Sequence, residues 1–231
     1  MSQSSDQDNA SKRKQAQLDP RANPNYLGNP KIKDNWTEDI PNGQNTSLWI
    51  TGLPSDCTYH ILLGAIRGAG NIKSSHINSA QDDLPSCAAK IVFFTHEAAE
   101  RVYKAAKAGK LPVQGVHPQV SWNRIRTSED LHPADRTRVL RIEGPENIVN
   151  KESLERFWKS FMWWHVDEVL DIGEVRDGIC VVWYRFGSWR CQAELAKKIL
   201  EKVFPNRISV TYQPDYCAQG GREEKTRSVE S

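Results

Sequence analysis

The sequence predicts an α+β chain built from two β-α-β-β-α-β units, each a four-stranded antiparallel sheet with two helices on one face. Three observations predict it. Short alternating strand patterns and two amphipathic helix patterns follow one another in residues 46–126, and the same order recurs in residues 138–213. Matched elements lie at nearly constant offsets: Leu48 to Leu140 is 92 residues, Phe93 to Phe186 is 93, and Val120 to Val210 is 90. Three elements repeated at one period mark an internal duplication, and the polar stretch "TSEDLHPADRT" (127–137) joins the copies.

Each element has its own local signature. "SLWITGLP" (47–54) alternates as a strand and stops at Gly52 and Pro54. "TYHILLGAIRGAG" (58–70) puts Ile61, Leu62, Ala65 and Ile66 on one helical stripe and closes at glycines. "NIKSSHI" and "CAAKIVFF" read as strands, and "THEAAERVYKAAKAG" (95–109) as a helix ended by Gly109. "VQGV" (113–116) is a turn into the last strand, "HPQVSWNRI" (117–125). In the second copy "RVLRIEGP" (138–145) repeats the first strand, "WYRFGSWRCQAELAKKIL" repeats the third strand and second helix, and "ISVTY" repeats the last strand. "KESLERFWKSFMWWHV" (151–166) reads as a helix with Leu154, Phe157, Trp158 and Phe161 on a core-facing stripe. The connector contains Pro133 and no long Gly/Ser run, so the units are expected to be semi-rigidly placed.

Composition limits the function classes. The chain has 231 residues, 38% of them hydrophobic, and eight tryptophans, enough for real cores. Residues 1–45 are rich in Ser, Gln, Asn, Asp and Pro and are expected to form a disordered arm, as is a tail at 214–231. Met1 opens onto polar residues without an apolar signal core, and no run approaches a membrane span, so neither secretion nor a membrane partner is expected. Cysteines at 57, 87, 180, 191 and 217 are odd in number and scattered, with no metal spacing to the histidines. A reducing intracellular compartment fits, and "SKRK" (11–14), a candidate import signal, tilts the expectation toward the nucleus. Net charge is +2, with residues 46–126 carrying nine Lys/Arg against five Asp/Glu and residues 137–213 twelve against eleven. The first unit therefore has the stronger electrostatic footprint for a polyanion. Paired carboxylates, a Ser/His/Asp set, a phosphate loop and a metal cluster are missing at usable spacing, so neither catalysis nor a cofactor is expected.

These residues resemble a known family, tandem RNA recognition motifs, over 46–126 and 138–213. The resemblance implies a ferredoxin-like fold in each copy. The family's first-strand hexamer, aliphatic-aromatic-aliphatic-any-Asn/Gly-Leu, is met throughout by "LWITGL" (48–53). Its third-strand octamer falls on "SCAAKIVF" (86–93), which keeps Ala89, Ile91 and Phe93 but places Ala88 and Lys90 where exposed aromatics belong. The second copy departs further. "LRIEGP" (140–145) has Arg141 at the aromatic position, "ICVVWYRF" (179–186) offers Val181 and Trp183, and "FGSWRCQAE" is one residue longer before its helix. The layout is similar to uncharacterised two-module RNA-recognition proteins of filamentous fungi, which implies a fold and little about function.

Alternation selects the candidate site. Leu48 and Ile50 share a face with Ile91 and Phe93, so Trp49 points to the open side, where an indole stacks a base of single-stranded RNA. Lys90 lies beside it, either meeting a phosphate or simply solvated. Asn123 is placed to read a base edge, and Arg124 and Arg126 to hold the backbone. In the second copy Arg141, Trp183 and Arg185 share the open face, either contacting RNA or closing on themselves as a cation-π pair of Arg141 with Trp183. Trp163 and Trp164 are surplus to the helical stripe, and one is expected at an interface with the first domain or a protein partner. Two readings follow: weak binding of single-stranded RNA through the first domain, or a protein-interaction module that keeps the fold with little RNA affinity.

Overall fold

The computed structural model describes residues 40–130 and 135–219; the "SKRK" run, Pro133 and residues 220–231 lie outside the described residues. The first unit runs β1 (Ser47–Leu53), α1 (Tyr59–Ala65), β2 (Ile72–Asn78), β3 (Cys87–Phe93), α2 (His96–Lys107) and β4 (Gln119–Trp122). The second runs β5 (Val139–Pro145), α3 (Lys151–Trp158), β6 (Val166–Arg176), β7 (Ile179–Phe186), α4 (Glu194–Val203) and β8 (Ser209–Tyr212). The strand orders are β2-β3-β1-β4 and β6-β7-β5-β8, antiparallel throughout. Each unit is thus a ferredoxin-like β-α-β-β-α-β fold, as the resemblance implies.

Helix starts repeat one device. Thr58, Thr95 and Asn150 accept through their side chains from the backbone N–H three residues on, satisfying a donor the first turn leaves open. The inward positions of β1 and β3, Leu48, Ile50, Ile91 and Phe93, are fully buried, as are Leu140, Ile142, Tyr184 and Phe186 in the second unit. β1 ends at an irregularity between Ile50 and Leu53, where Gly52 takes φ 72°, a left-handed conformation open to glycine without strain.

Three expectations need correction. The helix predicted over 151–166 stops at Trp158; residues 163–165 cross to β6, an 11-residue strand paired with β7. Leu154 and Trp158 are core, whereas Phe161 lies past the helix and is 52% exposed. The arm expected to extend through residue 45 stops short of it: Asn45 is buried, its Oδ1 accepting from the N–H groups of Ser47 (3.0 Å) and Thr127 (3.2 Å). The tail expected to be disordered from residue 214 is packed as far as 219, with Asp215, Tyr216 and Cys217 buried.

That tail is part of how the two units dock. Arg138 is fully buried and donates bidentately to Asp215, from Nε to Oδ2 and from Nη2 to Oδ1, both at 2.9 Å. Its Nη1 donates to Asp167 Oδ2 (2.6 Å) and to Phe186 O (2.8 Å). Burial works against the guanidinium charge, but Asp215 and Asp167 outweigh it, and Arg138 stays charged. The Tyr216 hydroxyl donates to the same Asp167 oxygen, and the Tyr216 ring lies under Arg67 of the first unit, 4.2 Å from centroid to Cζ. Cys217 O accepts from the N–H groups of Ala69 (2.8 Å) and Gly70 (3.0 Å), clasping the first unit. His165 stacks on Tyr59 at 4.6 Å, and Phe94, from the first unit, packs in the core of the second. Gly187 sits in this joint; a Cβ there would lie 2.9 Å from Tyr59 Cδ1 and 3.0 Å from His165 Cβ.

Candidate nucleic-acid interface

Strand register assembles the site in one row. Trp49 on β1 pairs with Ser121 on β4 and with Lys90 on β3, and Lys90 pairs with His76 on β2. The row Ser121, Trp49, Lys90, His76 therefore crosses the face opposite the helices. Trp49 is partly exposed there, between buried Leu48 and Ile50. The Lys90 ammonium is held below the ordinary lysine value of 10.5, first by burial and then by the positive charge of Arg190.

The other first-unit candidates are placed differently from one another. Asn123 is on the same side as Trp49, but its amide is engaged: Nδ2 donates to Ser47 Oγ (3.1 Å) and Oδ1 accepts from Ile125 N (3.2 Å). It shapes the strand end, and base reading would require breaking those bonds. Arg126 donates from Nη1 to Ile40 O (2.5 Å), fastening the segment before β1, whereas Arg124 is exposed. Trp122 faces the helix side, stacked against His96 at 5.0 Å and Tyr103 at 5.3 Å.

The second sheet's face is closed by its own charges. Arg141, at the register position of Trp49, pairs with Trp183 and Thr211, but its guanidinium donates to Glu143 Oε2 (2.6 Å). The expected closure through a cation-π pair thus runs through a carboxylate. Arg176 donates to the other oxygen of Glu143 (3.0 Å), and Arg185 pairs with Glu168. Hydrogen bonding from Arg141 leads the causes that hold the Glu143 carboxyl below its usual range.

The paired tryptophans separate. Trp164 turns into its own domain, its Nε1 donating to Tyr184 OH (2.8 Å) and its ring meeting Trp158 edge-on at 6.0 Å. It packs at the edge of its own domain's core, which leaves Trp163 as the one of the two open to the expected interface: outside a helix, neighbouring residues point to opposite sides. Trp163 is 95% exposed. Sequence reasoning missed Arg190, His76 and the buried Arg138 cluster. The extra residue in "FGSWRCQAE" was the available signal for Arg190: it is absorbed in a π-type turn, Trp189–Ala193, where Cys191 takes φ 60°.

No protein-family model matches the chain, and no curated protein matches it. Among solved structures it is similar to the Sex-lethal RNA recognition domains 1 and 2 from Drosophila melanogaster, at 19% identity over 73% of this chain and 100% of that chain, TM-score 0.29. It is also similar to the first two RRM domains of the yeast poly(U) binding protein, at 14% identity over 73% of this chain and 99% of that one, TM-score 0.30. A third is the N-terminal 3 RNA binding domains of a yeast splicing factor, at 11% identity over 74% of this chain and 64% of that one, TM-score 0.29. Likeness at these TM-scores carries no argument, and the fold stands on the strand orders and registers above. Among the described residues no helix is long and apolar enough to cross a membrane.

Proposed function

We propose that the protein binds single-stranded RNA on the sheet of its first unit, without chemistry and without a cofactor. The observation that carries this reading is the pairing of Trp49 with Lys90 at the centre of that sheet. An indole on a sheet surface stacks a base of any identity for roughly 1–3 kcal/mol, and an ammonium one strand away meets the phosphate that follows. Partial burial sharpens the lysine's role, since a poorly hydrated cation gains more from an anion than a fully solvated one. The choice of RNA rests on the first-strand hexamer "LWITGL", because stacking and phosphate contacts alone do not separate RNA from single-stranded DNA. An intracellular setting accords with the free cysteines.

The test is a titration with random single-stranded RNA and DNA at two salt concentrations, for wild type and Trp49→Ala. Salt-dependent binding that weakens about ten-fold on losing Trp49 supports the reading. Absence of binding at low salt overturns it. One observation favours the second reading, a protein partner met through the second unit: Trp163 is 95% exposed and follows Phe161, itself 52% exposed.

A further inference from the structure

The row on the first sheet ends in an exposed ring, and the second domain holds that ring in place. His76 on β2 is exposed and pairs across the sheet with Lys90, which pairs in turn with Trp49. The strand that carries His76 is fixed on both sides of it. Before it, Ser75 N donates to Ser188 Oγ (2.8 Å), Ser188 Oγ donates to Ser75 O (3.1 Å), and Ser75 Oγ donates to Gly187 O, all three bonds buried at the joint. After it, Ile77 N donates to the Tyr59 hydroxyl (3.2 Å).

The ring also has a neighbour from the second domain. His165 lies 6.0 Å from His76 between ring centroids, at an interplanar angle of 70°. His165 is itself held: its ring stacks on Tyr59 at 4.6 Å, its N–H donates to Gln192 Oε1 (3.1 Å), and its carbonyl accepts from Gly187 N (2.7 Å). A T-shaped contact occupies at most one face of the His76 imidazole, so the other is left toward solvent. Trp49 and His76 stand two strands apart, roughly 10 Å, with the Lys90 position between them. Two flat rings separated by a cation on one face match the order base, phosphate, base along a single strand.

We propose that His76 is a second stacking position, taking the base next to the one on Trp49 while Lys90 meets the phosphate that joins them. The ligand of the row is then a dinucleotide step of single-stranded RNA, running from the centre of the first sheet across β2 to the joint with the second domain. This rests on the single-strand binding reading above. The docking of the units acquires a role here: His165 and the bonds at Ser75 hold the His76 ring in place, and a ring already held gives up little rotamer freedom when a base stacks on it.

The experiment uses the full chain and a fluorescent ten-nucleotide random single-stranded RNA, with anisotropy followed over a salt series. For His76→Ala the expected result is binding weakened about ten-fold with the slope of log affinity against log salt unchanged, because a stacked base releases no counterions. His76→Phe keeps a flat ring without the imidazole nitrogens and should bind within about two-fold of wild type. In the wild-type protein the His76 ring protons should move upfield in NMR spectra as RNA is added, a readout that stands even if the alanine variant is unstable. If His76→Ala keeps wild-type affinity and the ring protons stay still while Trp49→Ala weakens binding, the second position is refuted and the Trp49 platform stands. The second position is also refuted if His76→Phe binds as weakly as His76→Ala, or if the slope falls by about 0.7, the share of one phosphate on a single strand. If wild type does not bind, both are refuted.

Discussion

The two sheets share a strand order and a pattern of inward residues, and they part along one row of the open face. Trp49 in the first sheet stands between Ser121 and Lys90, and the row ends at His76 without a carboxylate. Arg141 in the second stands between Thr211 and Trp183, and Glu143 closes over it. Arg176 and Arg185 on the second domain are also held by carboxylates. A phosphate approaching the second face would have to displace an ion pair already made, whereas on the first it meets the Lys90 ammonium beside Trp49. The two copies share the inward core and differ on their open faces, of which the second is electrostatically satisfied from within.

The largest way to break this comparison is to remove the frame that holds the faces in place. Arg138→Ala leaves Asp167 and Asp215 buried without their guanidinium and should cost about 3–5 kcal/mol in chemical denaturation. A cost near zero would mean the buried cluster does not hold the domains. Trp164→Ala should lose about 2–3 kcal/mol, because a half-buried ring and its bond to Tyr184 disappear, while Trp163→Ala should stay within about 0.5 kcal/mol. Equal losses would contradict the assignment of one tryptophan to the core and the other to solvent.

The pH dependence of binding sharpens the contrast at Lys90. Its charged form holds the phosphate and its free pKa is lowered, so affinity is complete well below that pKa and is lost as pH rises through it, starting below the ordinary value of 10.5. Bound phosphate raises the pKa again, so the complex takes up protons in that window. Titrations between neutral and alkaline pH check this, and Lys90→Met should remove the alkaline loss while binding more weakly at neutral pH. His76 is its partner across the sheet, and the charge of Arg190 also acts on it. The smallest effect belongs to Trp183→Ala, which should change RNA affinity by less than about two-fold, since its face is already satisfied.

The fold was legible because its signals are local and repeated. Alternation in "SLWITGLP" and "RVLRIEGP", helix-capping Thr58, Thr95 and Asn150, and the shared offsets each depend on residues within one element or its copy. The row through Trp49 was legible in part for the same reason: strand parity alone puts Trp49 and Lys90 on one face. Partnerships across the chain were not. Arg138 looks like a solvated residue at a strand start until it meets Asp167, 29 positions on, and Asp215, 77 positions on. "PDYC" sits in a polar tail, and its reasons to pack, the buried guanidinium of Arg138 and the backbone of Ala69 and Gly70, lie far away in sequence. Trp163 and Trp164 could not be told apart, because helical periodicity was extended past Trp158, where the helix has ended. Asn123 fell on the expected face, but nothing in its neighbourhood in sequence announces the Ser47 hydroxyl that engages it.

The central claim is that the first sheet, and not the second, receives the strand. Heteronuclear NMR of the full chain, with single-stranded RNA added stepwise, tests it most directly through the tryptophan indole N–H signals. The account predicts a large progressive shift of the Trp49 indole together with amides of β1 and β3, while Trp183 stays still. Shifts centred on Trp183 and Arg141, with Trp49 unmoved, would contradict it.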